Sequence, residues 1–192
     1  MKSSQSGPGN ILDRIVEKKR EEIALSKLEV PLLKLEQSEF FTRECFSLHD
    51  FILNPALTGI IAEFKRQSPS KGIINDKLSV QEVTNGYTAA GASALSVLTD
   101  ESFFGGNNRD LIAARKANTI PVLRKDFMLD EFQIIEAKAL GADIILLIAS
   151  ILNPNEIKNL AKLAKSLGMN VLLEVHNLDE LNRSLCDDLD AV

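Results

Sequence analysis

Four charged residues stand near the ends of three strand-like stretches and together could carry out acid–base chemistry. Glu63 and Lys65 belong to the first stretch, Lys125 to the third and Glu174 to the fifth. A lysine near other cations can lose proton affinity and act as a general acid, and a partly buried carboxylate can gain it. The set therefore predicts a site with acid and base capacity, although a Glu–Lys pair on one strand is also compatible with a purely structural ion pair.

Strand alternation predicts which of these side chains share a face. Successive side chains of a strand point to opposite sides, so Ile61, Glu63 and Lys65 lie on one face of the first stretch. The other face is apolar and would meet the helices if the strands form a barrel. The residues of this apolar face are Ile60, Ala62 and Phe64. The same rule places two more pairs at the inner rim, Leu123 with Lys125 and Leu172 with Glu174.

A regular alternation of strands and helices positions these residues. The strand-like stretches are 60–65, 94–99, 121–126, 143–149 and 170–175, with a sixth beginning at 190. Helices are expected at 79–90, 108–117, 131–140, 155–167 and 178–185. This order requires parallel pairing and fits both a doubly wound sheet and a closed barrel. The lack of a Gly-x-Gly-x-x-Gly turn after the first stretch, and the polar strand ends, favour an α/β fold of the TIM (β/α)8-barrel type.

A different pattern precedes this alternation. Residues 11–28 carry apolar positions spaced as in an amphipathic helix, which the Val30-Pro31 step ends. Residues 32–51 read as short helices or loops. We therefore expect an N-terminal helical extension over 1–58 and an incomplete barrel over 59–192, as one structural domain.

Composition excludes several classes of function. The 192 residues carry a net charge of -5, which is not typical of a nucleic-acid-binding protein. Residues 1–10 lack the apolar core of a signal peptide, and no apolar run reaches membrane-spanning length, so a cytoplasmic protein without a membrane partner is expected. Cys45 and Cys186 are far apart and are expected to be reduced thiols. No metal-ligand spacing is present in the sequence, and no cofactor is predicted.

Five sequence motifs carry a resemblance to a known family. The stretch IIAEFKRQSPSKG (60–72) is similar to the signature of indole-3-glycerol phosphate synthases, a Glu-x-Lys pair followed by Ser-Pro-Ser. Gln67 is a mild departure from that signature. The similarity continues, in the same order, in SVLTDESFFGG (96–106), VLRKDFM (122–128), ADIILLIASIL (142–152) and LLEVHN (172–177). The extra helix before the barrel fits the family too, in which such a helix caps the barrel bottom in many members.

The resemblance implies a carboxy-lyase of tryptophan biosynthesis. Its substrate would be a small phosphorylated molecule, 1-(2-carboxyphenylamino)-1-deoxyribulose 5-phosphate, whose indole ring it would close with loss of carbon dioxide and water. No metal or organic cofactor would take part, and the protein would be a monomer or weak homodimer.

The resemblance also implies a role for each site residue. Lys125 would be the general acid, Glu174 the acid/base of dehydration, Lys65 the contact to the substrate carboxylate, and Glu63 the residue that holds the lysines. His176 would be solvated or would support the site. Five further positions are expected to bind substrate, Ser68 and Ser70 by hydrogen bonds and Phe104, Phe127 and Leu146 against the anthranilate ring.

Two departures leave alternatives open. The sequence ends at Val192, inside the sixth strand pattern. Strands seven and eight, and the catalytic Asn and Ser of the family, are therefore expected beyond this residue. Without them, this chain is expected to be weakly active or inactive. One alternative is a non-catalytic barrel fragment. Another is a phosphate-binding barrel such as phosphoribosylanthranilate isomerase, whose chemistry needs a Cys/Asp pair at strand ends, whereas Cys45 precedes the first strand and Cys186 falls in a helix.

Overall fold

The computed structural model describes residues 10–192, and residues 1–9, most of the stretch that lacks a signal-peptide core, lie outside the described residues. The helices are α1 Ile11–Glu29, α2 Leu32–Glu36, α3 Leu48–Ile52, α4 Val80–Ala89, α5 Glu101–Phe104, α6 Asn108–Ala117, α7 Glu131–Leu140, α8 Pro154–Ser166 and α9 Leu178–Ser184. The strands are β1 Ile61–Phe64, β2 Gln67–Ser68, β3 Gly72–Ile73, β4 Ala94–Leu98, β5 Val122–Lys125, β6 Ile144–Ile148 and β7 Asn170–Glu174. Within this part of the chain, no helix is both long and apolar enough to cross a membrane.

Five strands form one parallel sheet in the order β1-β4-β5-β6-β7, each joined to the next through a helix. This is the arrangement of part of a (β/α)8-barrel wall, as the sequence predicted. The predicted strands and the helices between them agree with the observed bounds to within one or two residues. The sixth predicted strand contributes one isolated parallel bridge, between Leu172 and Ala191. The sequence did not reveal α5 or the two-stranded hairpin of β2 and β3.

The sheet separates two apolar layers. An inner cluster contains Ala94, Leu123, Ile144, Leu146 and Ile148, with Ile61 and Leu172 packed against it. The outer layer, between the sheet and the helices, contains Phe64, Leu95, Val97, Val122 and Val171, with Ala62 at its margin. The alternation predicted for β1, β5 and β7 is therefore confirmed. Ile60 is an exception and is 57% exposed, because it precedes β1 and lies outside the layer that the helices cover.

The N-terminal segment contacts both ends of the barrel wall, and the expectation that its helix caps the bottom was wrong. Helix α1 lies at the C-terminal ends of the strands, where Lys19 Nζ is 3.0 Å from carboxylates of both Asp100 and Asp126. The buried face of α1 includes this lysine, which requires negative partners. The bottom is covered instead by the segment around Leu48, which is buried in the inner cluster and donates its N–H to Asn170 at the start of β7.

One buried carboxylate fastens this lower segment to the barrel. Asp143 accepts hydrogen bonds from Arg43 at 2.7 Å, from Arg115 at 2.6 Å, and from the backbone N–H groups of Phe46 and Val122 at 2.8 and 2.9 Å. Its side chain is fully buried, and that of Arg115 nearly so. Burial lowers the pKa of Arg115, and the charge of Asp143 opposes that shift. The arginine therefore depends on this partner to remain a stable buried cation.

We expect Asp143→Ala to lower the free energy of unfolding by about 3 to 5 kcal/mol, because it leaves Arg115 buried without its counter-charge. Urea denaturation followed by circular dichroism measures the change. Glu39→Ala is the matched control, since Glu39 forms an exposed ion pair with Lys116 at 2.8 Å and its loss should cost about 1 kcal/mol or less. Equal losses in the two variants would contradict the role given to Asp143.

Candidate active site

The four predicted charges form two ion pairs at the inner rim of the sheet. Lys65 Nζ is 2.9 Å from Glu63 Oε1, and Lys125 Nζ is 3.0 Å from Glu174 Oε2. All four side chains are 29 to 36% exposed. The second pair spans β6, because Lys125 ends β5 and Glu174 ends β7. The structure thus brings each lysine to a carboxylate and leaves both pairs accessible to a ligand.

Strand register places the two lysines at the same height. Phe64 pairs with Val97 and Leu98 pairs with Lys125, so Lys65, one residue after Phe64, stands level with Lys125 across β4. The intervening Ser96 donates its hydroxyl to Glu63 Oε2 at 3.3 Å. Two ammonium groups on one level, each beside a carboxylate, can hold anionic and carbonyl oxygens of one substrate and exchange protons with it.

His176 extends the second pair. Its Nε2 lies 3.6 Å from Glu174 Oε1, and its Nδ1 lies 3.4 Å from Glu180. The pKa of Glu180 is lowered, chiefly by the backbone N–H of His176 and then by the imidazole. The ring is 57% exposed, as expected for a solvated or supporting residue. Glu174 therefore has one oxygen beside Lys125 and the other beside an imidazole.

The apolar wall consists of three side chains from elements that carry or adjoin these charges, Phe104 from α5 after β4, Phe127 from the loop after β5, and Leu146 from β6. The rings of Phe104 and Phe127 have centroids 6.1 Å apart, and both are half-buried. Leu146 is buried in the inner cluster, against which Phe127 also packs. Phe104 belongs to α5, which begins after Asp100 and ends at Gly105 in a left-handed conformation, φ 62°. The Asp-to-Gly spacing was a signal for this short helix that the sequence reading overlooked.

Ser68 lies in the β2–β3 hairpin, and its described hydrogen bonds do not involve the four charges. Its hydroxyl accepts the N–H of Lys71 at 3.3 Å and lies 3.5 Å from the hydroxyl of Ser70. These are turn contacts, the alternative to substrate binding for both serines. Arg66 anchors the hairpin base through two hydrogen bonds to Asp110, at 2.8 and 2.9 Å. The hairpin therefore has a fixed attachment next to Lys65.

Sequence reasoning missed a buried charge cluster on the outer side of the same strand ends. Asp126 accepts the hydroxyl of Thr99 at 2.6 Å and lies 3.0 Å from Lys19 and 3.4 Å from Arg124. Burial would raise the pKa of Asp126, but the charges of Arg124 and Lys19 and the Thr99 hydrogen bond lower it. Arg124 and Asp126, which flank Lys125 in the sequence, could have indicated this cluster. Lys19 and Thr99, which complete it, are remote in the sequence.

A cavity of about 750 Å³ adjoins this cluster, between α1 and the outer side of the barrel. Its lining includes Lys19, Arg124 and Asp126, and none of the four rim charges. The cavity therefore does not contain the residues that offer an acid, a base and apolar contacts together. We place the candidate site at the rim, where these residues lie. Among residues 10–192, no group of three or more His, Cys, Asp or Glu side chains is arranged to hold a metal ion.

Five parallel strands joined by helices, with Lys–Glu pairs at their C-terminal ends, are the arrangement of the (β/α)8-barrel class, whose enzymes have their sites at that end. The family model described as indole-3-glycerol phosphate synthase matches residues 12–192. This chain belongs to the indole-3-glycerol phosphate synthase family, as the sequence motifs predicted.

Curated relatives of that name agree with this assignment. A protein of Burkholderia ambifaria (strain AMMD) is 47% identical over 178 residues, which cover 92% of this chain and 68% of the relative. One of Bacteroides thetaiotaomicron is 44% identical, covering 90% and 66%, and one of Carboxydothermus hydrogenoformans is 41% identical, covering 91% and 68%. The chain thus spans about two thirds of the length of these relatives.

We expect the Asp126 carboxyl to titrate below the ordinary aspartate value of about 3.9, because its ionised form is paired in the folded protein. The stability that this pairing contributes is then fully present above about pH 4 and is lost as the pH falls through the lowered pKa. Carboxyl-carbon NMR during an acid titration measures the midpoint. A midpoint at or above the ordinary value would contradict the charge network.

Proposed function

We propose that this protein closes the indole ring of 1-(2-carboxyphenylamino)-1-deoxyribulose 5-phosphate, releasing carbon dioxide and water, and is therefore a carboxy-lyase. Membership of the family supports the reaction, and the 3.0 Å contact between Lys125 and Glu174 is the single observation that supports its residues. The pair supplies a proton donor and an acceptor within hydrogen-bond reach of each other, at an accessible rim.

Lys125 begins the reaction in this proposal. Its ammonium donates a proton to the ketose carbonyl oxygen while the aromatic carbon that bears the carboxylate attacks the carbonyl carbon. The bond to the carboxylate then breaks, carbon dioxide leaves and its bonding electrons return to the aromatic ring. In the last step the new hydroxyl leaves as water while the neighbouring CH2 carbon loses a proton. Because Glu174 is in direct contact with Lys125, it can serve as acid or base in this dehydration. Both side chains are about one third exposed, so a substrate oxygen can replace solvent at the pair without a buried charge being stranded.

Lys65 orients the carboxylate that is lost. Its ammonium attracts the anthranilate carboxylate and places the attacking carbon opposite the carbonyl, and Glu63 holds the lysine at 2.9 Å. Phe104, Phe127 and Leu146 would pack against the anthranilate ring, since an aromatic substrate is held chiefly by apolar contact.

The isomerase alternative lacks its cysteine at the rim. Cys45 lies at the bottom of the barrel, where its Sγ is 3.7 Å from the carbonyl oxygen of Ala142 and 3.1 Å from Lys138 Nζ. Burial raises the pKa of this thiol, so it is a poor acid–base group near neutral pH. Cys186 lies just after the end of α9 and not in a helix as expected, and it packs against the outer apolar layer.

We expect Lys125→Met in the full-length protein to lower kcat by a factor of about 10² to 10⁴. The general acid is lost in this variant, whereas the apolar wall that would bind the aromatic ring of the substrate remains. Indole fluorescence measures product formation, and circular dichroism checks the fold. Lys158→Met, on the exposed surface of α8, is the control and should turn over normally. Unchanged turnover in Lys125→Met would refute the acid role.

A further inference from the structure

Helix α1 carries a lysine where an apolar residue would be expected. Its buried face consists of Ile15, Lys19 and Ile23, spaced one helical turn apart. An unpaired ammonium at such a position is strongly destabilising, whereas a paired one fixes the helix in a single place. Burial would lower the pKa of Lys19, but the charges of Asp126 and Asp100 and the contact with Glu22 raise it well above its ordinary value. Lys19 is therefore a permanent cation at this interface.

The partners of Lys19 come from two different loops at the catalytic end of the barrel. Asp100 Oδ2 and Asp126 Oδ1 each lie 3.0 Å from its Nζ. Asp100 follows β4 and Asp126 follows β5, so one ammonium group joins the two loops. The two carboxylates stand within about 6 Å of each other, the sum of the two 3.0 Å contacts, where unscreened like charges repel.

Each of these carboxylates also accepts a hydrogen bond from the backbone of a segment that carries one ring of the apolar wall. Asp100 caps α5, the helix of Phe104, by accepting the N–H of Phe103 at 2.9 Å. Asp126 accepts the N–H of Phe127 at 2.8 Å. Lys19 is thus separated from each ring-bearing segment by a single carboxylate. None of its described ion pairs reaches the four rim charges.

One other side-chain contact joins the two loops, the hydrogen bond from the Thr99 hydroxyl to Asp126 at 2.6 Å, but it brings no positive charge to Asp100. Lys19 also lines the cavity of about 750 Å³ between α1 and the barrel, although its side chain is only 6% exposed. Arg124 Nη2 approaches Asp126 at 3.4 Å but forms its shorter contact, 2.7 Å, with Glu136. Removing the ammonium would therefore leave Asp100 without an ion-pair partner among the described residues, and we expect the start of α5 to shift relative to Asp126.

We propose that Lys19 is a positioning residue that sets the spacing of Phe104 and Phe127 and so determines affinity for the aromatic part of the substrate. This inference rests on the proposed function. It predicts an effect on binding rather than on proton transfer, because Lys19 contacts the residue after Lys125 and the cap of α5, not Lys125 itself.

The test is Lys19→Met in the full-length protein, with Lys18→Met as the matched control. Lys18 is the neighbouring lysine of α1 and forms an exposed pair with Glu21. We expect Lys19→Met to raise KM for the carboxyphenylamino-deoxyribulose phosphate about tenfold, the scale of a lost apolar contact, with kcat within about twofold of the unsubstituted protein. Lys19→Arg should recover most of the loss, and Lys18→Met should leave KM unchanged.

A second readout does not require turnover. Fluorine NMR of the protein labelled with fluorophenylalanine, with the signals of Phe104 and Phe127 assigned by substitution, should show both resonances shifted in Lys19→Met and neither in Lys18→Met. If both resonances shift in Lys19→Met but the unsubstituted protein turns over no substrate, the proposed function is refuted and the positioning role is retained. Unshifted rings, or a fall in kcat at constant KM, would overturn the inference.

A further variant keeps the inference testable if Lys19→Met does not fold. Asp100→Asn retains a capping side chain for α5 and leaves Lys19 paired with Asp126 and Glu22. Since it weakens only the link to α5, it should raise KM less than Lys19→Met and shift the Phe104 signal alone. A shift confined to Phe127 would contradict the proposed link.

Discussion

Parallel pairing of the strands is the constraint on which the site depends. Hydrogen bonds between neighbouring strands fix their relative heights, and alternation fixes which side chains point inward. The pairs Glu63 with Ser96 and Leu98 with Lys125 follow from one continuous register. A shift of a single residue would turn Lys125 outward and bring Arg124 or Asp126 to the inner rim. The chemistry of the rim is therefore a consequence of the same ladder that forms the apolar core.

Buried ion pairs attach the N-terminal segment to this ladder at both ends. Asp143 binds Arg43 and Arg115 at the bottom, and Lys19 binds Asp100 and Asp126 at the top. Apolar packing alone could allow a surface helix to slide along the barrel, because apolar contacts have little directional preference. A buried charge is satisfied in one position only. The energetic cost of desolvating these groups is thus compatible with a role in fixing where the segment lies.

The sequence predicted what depends on local pattern and failed where remote partners decide. Strands and helices of the barrel followed from apolar periodicity and from caps such as Ser79 and Gly141, and their bounds agree closely with the structure. Helix α5 and the β2–β3 hairpin are too short to show a period. The position of α1 was predicted wrongly, because the two carboxylates that attach Lys19 to the barrel, Asp100 and Asp126, are more than 80 residues away in the chain. The facing of Lys125 and Glu174 could be predicted, but their mutual contact across β6 depends on how the wall curves.

The exposure of the ion pairs separates those that hold the fold from those suited to chemistry. Lys19, Asp126, Arg115 and Asp143 are 0 to 6% exposed, and a substrate could not displace any of them without stranding a buried charge. Lys125 and Glu174 are each about one third exposed, so water can solvate either partner when the other turns to a ligand. A proton donor must be released from its partner during each cycle. The one-third exposure of the rim pairs allows this release, and the buried pairs behind them keep the strands and loops in place during it.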